Sequence, residues 1–291
     1  MKKIIPHIWF DKEALEAAQR YVSVFENAEI NHTTVLEDTP SGTAHLVELT
    51  LAGQPFQFIS AGPFFTPNPT ISFLINCITK EEVDRFYNCF IEGGFELMPL
   101  GNYPFSPYYA WVEDKFHVSW QIMLNHAPKS DQKIIPTLMY VGKHLGECEQ
   151  AITHYINTFD GSLKGEITRY FEEAPNPDNS VKHVNFIIDD LMLGAMDSGY
   201  DHNYQFNEGV SFIIPCDTQE EIDHYWSKLS HDPEAEQCGW CRDQFGVSWQ
   251  IAPTIMGELL NTDNQEIKSN VIQTFLGMKK FDINQLKKAA E

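Results

Sequence analysis

The sequence predicts an α+β protein made by tandem duplication of one unit, and three observations carry that prediction. First, Lys3-Ile4-Ile5-Pro6 recurs as Lys133-Ile134-Ile135-Pro136, residues 72–84 recur as 211–223, and residues 111–122 recur as 240–251, always in the same order. Second, short runs of alternating apolar residues, the signature of strands, are interleaved with segments whose apolar residues fall three or four apart, the signature of helices. Third, 43% hydrophobic and 13% aromatic content gives each half enough apolar surface for a core. Both copies close on Val-Ser-Trp-Gln-Ile. The units are read as 1–126 and 132–253, with 254–291 as a helical tail.

The spacing between copies locates their differences. The offset is 130 at the first block (133 − 3), 139 at the second (211 − 72) and 129 at the third (240 − 111). Copy two therefore gains residues before the middle block, near the Pro- and Asn-rich stretch 172–180. It then loses the counterpart of residues 95–109, which in copy one read as strand, turn, strand.

Each copy reads as strand, helix, three strands, then strand, helix and further strands. The first strand is Ile4 to Phe10. The first helix is carried by Leu15, Ala18, Val22 and Phe25, and in copy two by Cys148, Ile152, Tyr155 and Phe159. A hairpin spans His45 to Ser60 with Gly53 at its turn, and a strand covers Ile71 to Cys77. Thr79 stands three residues before Glu82, and Thr218 three before Glu221. In this capping box the hydroxyl accepts from a free helix N–H and the carboxylate reaches back, so these glutamates are structural. Val83, Phe86 and Phe90 then form a buried stripe. The last strand follows an Asp-x-Phe-x turn in which Gly246 takes a left-handed conformation, with His117 as a turn residue at the same place in copy one. In the tail, Ile267, Val271, Phe275 and Met278 mark one amphipathic helix, and Asp282 starts a short final one.

Twenty basic against 41 acidic residues give a formal charge of −21, a field that repels phosphate backbones and anionic membrane surfaces, so no nucleic acid or membrane partner is expected. The apolar run behind Lys2 and Lys3 breaks at Asp11, too short for a signal core or a span. Six cysteines without a secretion signal place the chain in a reducing, cytoplasmic setting.

These motifs resemble a known family. The opening Ile-Pro-x-apolar strand, the His45 to Gly53 hairpin, the Cys-x-Thr-x-Glu-Glu-apolar-Asp helix start and the closing Asp-x-Phe-x-Val-Ser-Trp-Gln-Ile are similar to those of PhnB-like proteins of the vicinal oxygen chelate superfamily. That superfamily includes glyoxalase I, bleomycin-resistance proteins and extradiol dioxygenases. The resemblance covers nearly the whole chain. It implies glyoxalase-like units built of βαβββ modules, with curled mixed sheets around one pocket per copy. Single-unit relatives pair, so it also implies an internal pseudo-dimer, with a homodimer of the whole chain as a further state. Such proteins sometimes carry the label 3-demethylubiquinone methyltransferase, but no glycine-rich strand-to-helix turn of the kind that binds a nucleotide-like cofactor occurs here.

The resemblance also implies where a site would lie. Metal-using relatives set His, Glu or Gln on inner sheet faces, where a divalent ion (Zn, Ni, Mn or Fe) polarises vicinal oxygens. Copy one offers His7, His45 and Gln121 as metal ligands, with Trp9 facing the same way as His7. Copy two offers His183, Asp197 and Gln250, with Thr137 in place of His7. His183 is read as the counterpart of His45. Gln121 and Gln250 stand where metal-using relatives carry Glu, and neither copy presents two histidines and a carboxylate. The seven residues His7, Trp9, His45, Gln121, His183, Asp197 and Gln250 are the expected ligand contacts, and copy one is expected to hold the better-enclosed cavity. Cys238-Gly239-Trp240-Cys241 has metal or redox spacing but runs into a strand and has no second pair. The favoured function is small-molecule binding. The alternatives are a divalent-metal-dependent lyase, isomerase or dioxygenase, and an oligomeric interaction scaffold.

Overall fold

The computed structural model describes residues 4–39, 42–128, 130–260, 262 and 264–291. Copy one contains β1 (Ile5–Phe10), α1 (Ala14–Val24), β2 (Glu29–Thr39), β3 (Gly42–Leu51) and β4 (Gln54–Ser60) as its first module. Its second module is β5 (Ile71–Cys77), α2 (Lys80–Ile91), β6 (Phe95–Tyr103), β7 (Ser106–Glu113) and β8 (Ser119–Leu124). Copy two follows with β9 (Ile134–Tyr140), α3 (Cys148–Thr158), β10 (Leu163–Lys164), β11 (Thr168–Arg169), β12 (Val181–Ile188) and β13 (Leu191–Asp197). Its second module has β14 (Val210–Cys216), α4 (Gln219–Leu229), β15 (Trp240–Arg242) and β16 (Ser248–Pro253). The tail adds α5 (Met256–Leu260), α6 (Gln265–Leu276) and α7 (Ile283–Ala289).

Neither copy builds a sheet of its own. Among the described residues the first sheet has the order β15-β16-β14-β1-β4-β3-β2, and the second has β10-β12-β13-β9-β5-β8-β7-β6 with β11 beside β12. Each sheet thus joins the first module of one copy to the second module of the other. The seams are antiparallel: His7 lies opposite Ser211 where β1 meets β14, and Thr137 opposite Ser72 where β9 meets β5. This corrects the expectation of one pocket per copy. Copy two lacks a counterpart of β6 and of the start of β7, so only β15, which repeats residues 111–113, stands on that side of the first sheet, while the second sheet keeps the long hairpin.

The helices cover one face of each sheet and bury the core. In copy two the expected face holds, with Cys148, Ile152, Tyr155 and Phe159 all buried. In copy one the face is shifted: Ala14, Ala17, Ala18, Tyr21 and Val24 are buried, while Leu15 is 44% exposed. Three alanines let α1 lie close to the sheet, and Tyr21 fills the space beyond them, packing against Phe58, Phe90, Phe116 and Trp120.

The Asp-x-Phe-x-Val-Ser-Trp motif explains itself in this core. Asp114 accepts from Tyr21 Oη at 2.6 Å, Trp120 Nε1 at 2.9 Å, and the backbone N–H groups of Phe116 and Val118 at 2.9 and 3.0 Å. Asp243 repeats the arrangement with Tyr155 at 2.7 Å, Trp249 at 2.8 Å, Phe245 at 2.9 Å and Val247 at 3.0 Å. One carboxylate therefore shapes the turn, fixes the last strand through its tryptophan, and ties the helix of the first module to the second. Burial pushes both carboxyls upward, and the four donors pull against it.

The turn itself matches the reading, with φ of +66° at His117 and +90° at Gly246. Thr218 and Glu221 form the full capping box. Both carboxylates also accept from the residue before the cap, Glu82 from the Ile78 N–H at 2.8 Å and Glu221 from the Asp217 N–H at 2.6 Å. The tail docks on copy two through Cys238 N–H to Met278 O at 2.8 Å and Gly239 N–H to Lys279 O at 2.7 Å. The Cys-Gly-Trp-Cys segment is thus where the tail attaches. Both thiols are free, and burial pushes Cys241 up, away from reactivity. Among the described residues no helix is long and apolar enough to cross a membrane.

Candidate functional site

Strand pairing aligns a polar row across the face of each sheet that points away from the helices. In the first sheet, Arg242 lies opposite Ser248, Ser211 opposite His7, His7 beside Gln57, Gln57 opposite Glu48, and Glu48 opposite His32. Ser248 and Ser211 are neighbours, one step before the Phe212–Trp249 pair. In the second sheet the same positions are Glu113, Ser119, Ser72, Thr137, Gly194 and Asn185. Alternation explains why the rows are continuous: the next residues along, such as Ile8, Phe58, Phe73 and Phe212, turn to the helices and are buried there.

The two glutamines of the closing motif sit on these inner faces, each held by a serine. Gln121 Nε2 donates to Ser72 Oγ at 2.7 Å, and the Tyr109 hydroxyl donates to Gln121 Oε1 at 2.8 Å. Gln250 Nε2 donates to Ser211 Oγ at 3.0 Å. Beyond Ser211 stands His7, 1% exposed, with Nδ1 at 3.4 Å from Ser211 Oγ. Burial pushes the His7 imidazole down to about 3, so it is neutral near pH 7. The Trp240 ring meets His7 edge-on at 5.3 Å, and Trp9 lies beside Trp240 at 6.2 Å. Trp9 Nε1 donates to Gly62 O at 2.7 Å, tying this patch to the loop that carries Phe65 against the same indole.

The two sheets differ at one serine. In the second, Trp111 Nε1 donates to Ser119 Oγ at 2.7 Å. In the first, the equivalent Trp240 lies over His7 instead, and the buried Ser248 Oγ has no hydrogen-bond partner among the described residues.

The other expected contacts go elsewhere. His45 shares a face with Val47 and Leu49, the helix side of β3, at its exposed end. His183 shares the inner side of β12 with Asn185 and is exposed. The buried residues Val184 and Phe186 match Val47 and Leu49, so His183 corresponds to Leu46 rather than to His45. A slip of one residue moves a side chain to the other face. Asp197 also faces the helices: Oδ1 accepts from Gly146 N–H at 2.8 Å and Cys148 N–H at 3.4 Å, and Oδ2 from Val181 N–H at 2.8 Å. It anchors the start of α3, as Ser60 Oγ anchors α1 through Ala14 N–H at 3.0 Å.

The proposed metal set is therefore separated. His7 is in the first sheet, Gln121 in the second, and His45 on the helix side. Beside His7 lie Ser211 and Gln57, with Gln250 reaching Ser211 from beyond, so one imidazole stands among neutral oxygen and amide groups. Among the described residues no three His, Cys, Asp or Glu side chains converge. This donor set does not fit a divalent ion, which needs more nitrogen or carboxylate ligands than one imidazole supplies.

A family described as 3-demethylubiquinone-9 3-methyltransferase matches residues 2–123 and again residues 132–252. The chain belongs to that family, in tandem. A Bacillus cereus structure carrying the same description, and called a PhnB protein, is 34% identical; the match covers 43% of this chain and all of that one, with a TM-score of 0.40. Over most of the chain the fold is similar to that of glyoxalase I from Zea mays. A point mutant of that enzyme is 10% identical over 85% of this chain and 91% of its own, with a TM-score of 0.54. No curated protein matches the chain.

Sequence reasoning missed Ser72, Ser211, Tyr109 and Trp240. The serines were legible: both open a repeated block, Ser-Phe-Leu-Ile-Asn-Cys and Ser-Phe-Ile-Ile-Pro-Cys, and a polar residue repeated on a buried strand needs a partner. A cleft of about 580 Å3 lies between the copies, lined by residues of both.

Proposed function

We propose that this tandem family member binds a small, partly aromatic molecule with a carbonyl or hydroxyl group on the inner face of the first sheet, without a metal ion. The observation that carries this reading is the buried, unpartnered Ser248 Oγ in line with Ser211, Gln250 and the neutral His7, beside Trp9 and Trp240. A hydroxyl left without a partner in a buried site costs about 1–3 kcal/mol, which a bound polar group recovers. The tryptophans supply flat apolar surface for a ring. The serine–glutamine pair supplies directional polar contacts of the sort that orient ligands in mainly apolar sites. The six free thiols fit a reducing, cytoplasmic setting.

The test is calorimetric titration with a panel of small aromatic ketones and phenols. A binder found in the wild-type chain is expected to weaken about tenfold in Gln250→Leu, the effect of one lost hydrogen bond of roughly 1.4 kcal/mol. Unchanged affinity in Gln250→Leu and in Ser248→Ala would overturn the reading.

A further inference from the structure

The fused chain holds two versions of one inner-face arrangement, and they differ in what meets the closing glutamine. In the second sheet the protein satisfies that glutamine with its own side chains. Gln121 Nε2 donates to Ser72 Oγ at 2.7 Å, and the Tyr109 hydroxyl donates to Gln121 Oε1 at 2.8 Å. The Tyr109 ring stands edge-on to Tyr103 at 5.5 Å and to Phe105 at 4.9 Å. A phenol within an aromatic rim thus closes over the amide, and Gln121 is 5% exposed.

The first sheet lacks that phenol. Ala110 lies opposite Ile122, and Gly239 O accepts from the N–H of Ile251, the repeat of Ile122, at 2.8 Å. Gly239 therefore stands at the place of Ala110, and Cys238 at the place of Tyr109. There the backbone leaves the strand, with φ of +51° at Cys238 and +81° at Gly239. The tail holds this turn. Cys238 N–H donates to Met278 O at 2.8 Å, and a Cβ on Gly239 would fall 2.4 Å from the Phe281 ring. Tyr103 and Phe105 have no counterparts, since they fall in the segment that copy two lacks.

Gln250 keeps its serine but not its phenol. Its Nε2 donates to Ser211 Oγ at 3.0 Å, no hydrogen bond reaches its Oε1 among the described residues, and the side chain is half-buried where Gln121 is buried. The neutral His7 offers Nδ1 as an acceptor 3.4 Å from Ser211 Oγ, so the serine donates there and receives from the Gln250 amide. The Gln250 carbonyl is left as the free acceptor. Ser248 departs in the same sense: its counterpart Ser119 receives Trp111 Nε1, while its own buried Oγ has no partner among the described residues. Two groups that the protein satisfies for itself in the second sheet are open in the first. We infer that the ligand of the first sheet is a phenol, whose hydroxyl donates to Gln250 Oε1 in the place that Tyr109 takes in the second sheet. The inference rests on the small-molecule site assigned to that face and narrows its ligand. A ketone or an ether has no proton for that oxygen, and an aliphatic alcohol leaves the surface of Trp9 and Trp240 unused.

The test is calorimetric titration of the full chain with p-cresol and with its methyl ether, p-methylanisole, which keeps the ring and loses the proton. p-Cresol should bind about tenfold tighter, the effect of one hydrogen bond, and that preference should disappear in Gln250→Leu. In the Gln250→Leu background, Tyr109→Ala takes the protein's own phenol away from Gln121 and should create a p-cresol site there. Tyr109→Phe, which keeps the ring in place, should create none. The comparison of phenol with ether needs no variant and stays decisive if Tyr109→Ala does not fold. Equal affinities for phenol and ether, a phenol preference that survives in Gln250→Leu, or a folded Tyr109→Ala double variant that binds no p-cresol would each overturn the inference. Binding of aromatic ketones with no gain from a phenol hydroxyl would overturn it and leave the small-molecule site standing. No binding by any aromatic probe would overturn both.

Discussion

Replacing Asp243 by alanine should lower the stability of the chain by about 3–4 kcal/mol, among the largest effects of any single substitution in it. Four donors converge on that carboxylate in a buried site: Tyr155 Oη, Trp249 Nε1 and two backbone N–H groups. Alanine leaves all four unsatisfied and opens a cavity beside Trp249, which is 1% exposed. Asp243→Asn is expected to cost less, because the amide oxygen still accepts from two donors while its NH2 group faces the others. Asp114→Ala in copy one should behave like Asp243→Ala, since the same four contacts recur there. The measurement is denaturant unfolding followed by tryptophan fluorescence. A loss below about 1 kcal/mol for both alanine variants would show that the network does not hold the modules together.

The second large effect concerns the exchange of modules between copies. A fragment spanning residues 1–126 retains β1 next to β4 and β5 next to β8, but it loses β14 and β9, the strands that cover their other edges. Two central edges would then be open, with unpaired backbone groups and apolar side chains at each. Because β14 is the repeat counterpart of β5, and β9 that of β1, two such fragments can restore both seams by pairing β1 of one with β5 of the other. The fragment is therefore expected to run as a homodimer in size-exclusion chromatography with light scattering. A folded monomer at micromolar concentration would contradict this account of the seams.

The elements were legible because local pattern determines them. The alternation that sets Ile71–Cys77 as a strand and the hydroxyl and carboxylate that open α4 act over a few residues, and the structure follows them. The inward position of Gln121 and Gln250 follows from the same alternation. The pairing of β1 with β14 was not legible, because nothing local distinguishes it from pairing within a copy. His45 reads as the counterpart of His183 because the offset between copies changes from 130 to 139 somewhere between the flanking blocks, and no repeated residue fixes where. Burial fixes it instead, through Val47 with Val184 and Leu49 with Phe186. Asp197 followed the wrong rule: the period running through Leu191, Leu193 and Ala195 carries it to the helix side, where the free N–H groups of α3 need an acceptor. Leu15 reads as core by its chemistry, yet α1 rests on alanines one position away.

The most direct measurement is the metal content of the full chain, purified without chelators, together with its melting temperature on adding Mn, Fe, Ni or Zn. With one neutral imidazole among serine and glutamine side chains on the inner face of the first sheet, the account predicts clearly substoichiometric metal and no saturable thermal shift. One divalent ion per chain, lost on replacing His7 by alanine, would contradict it.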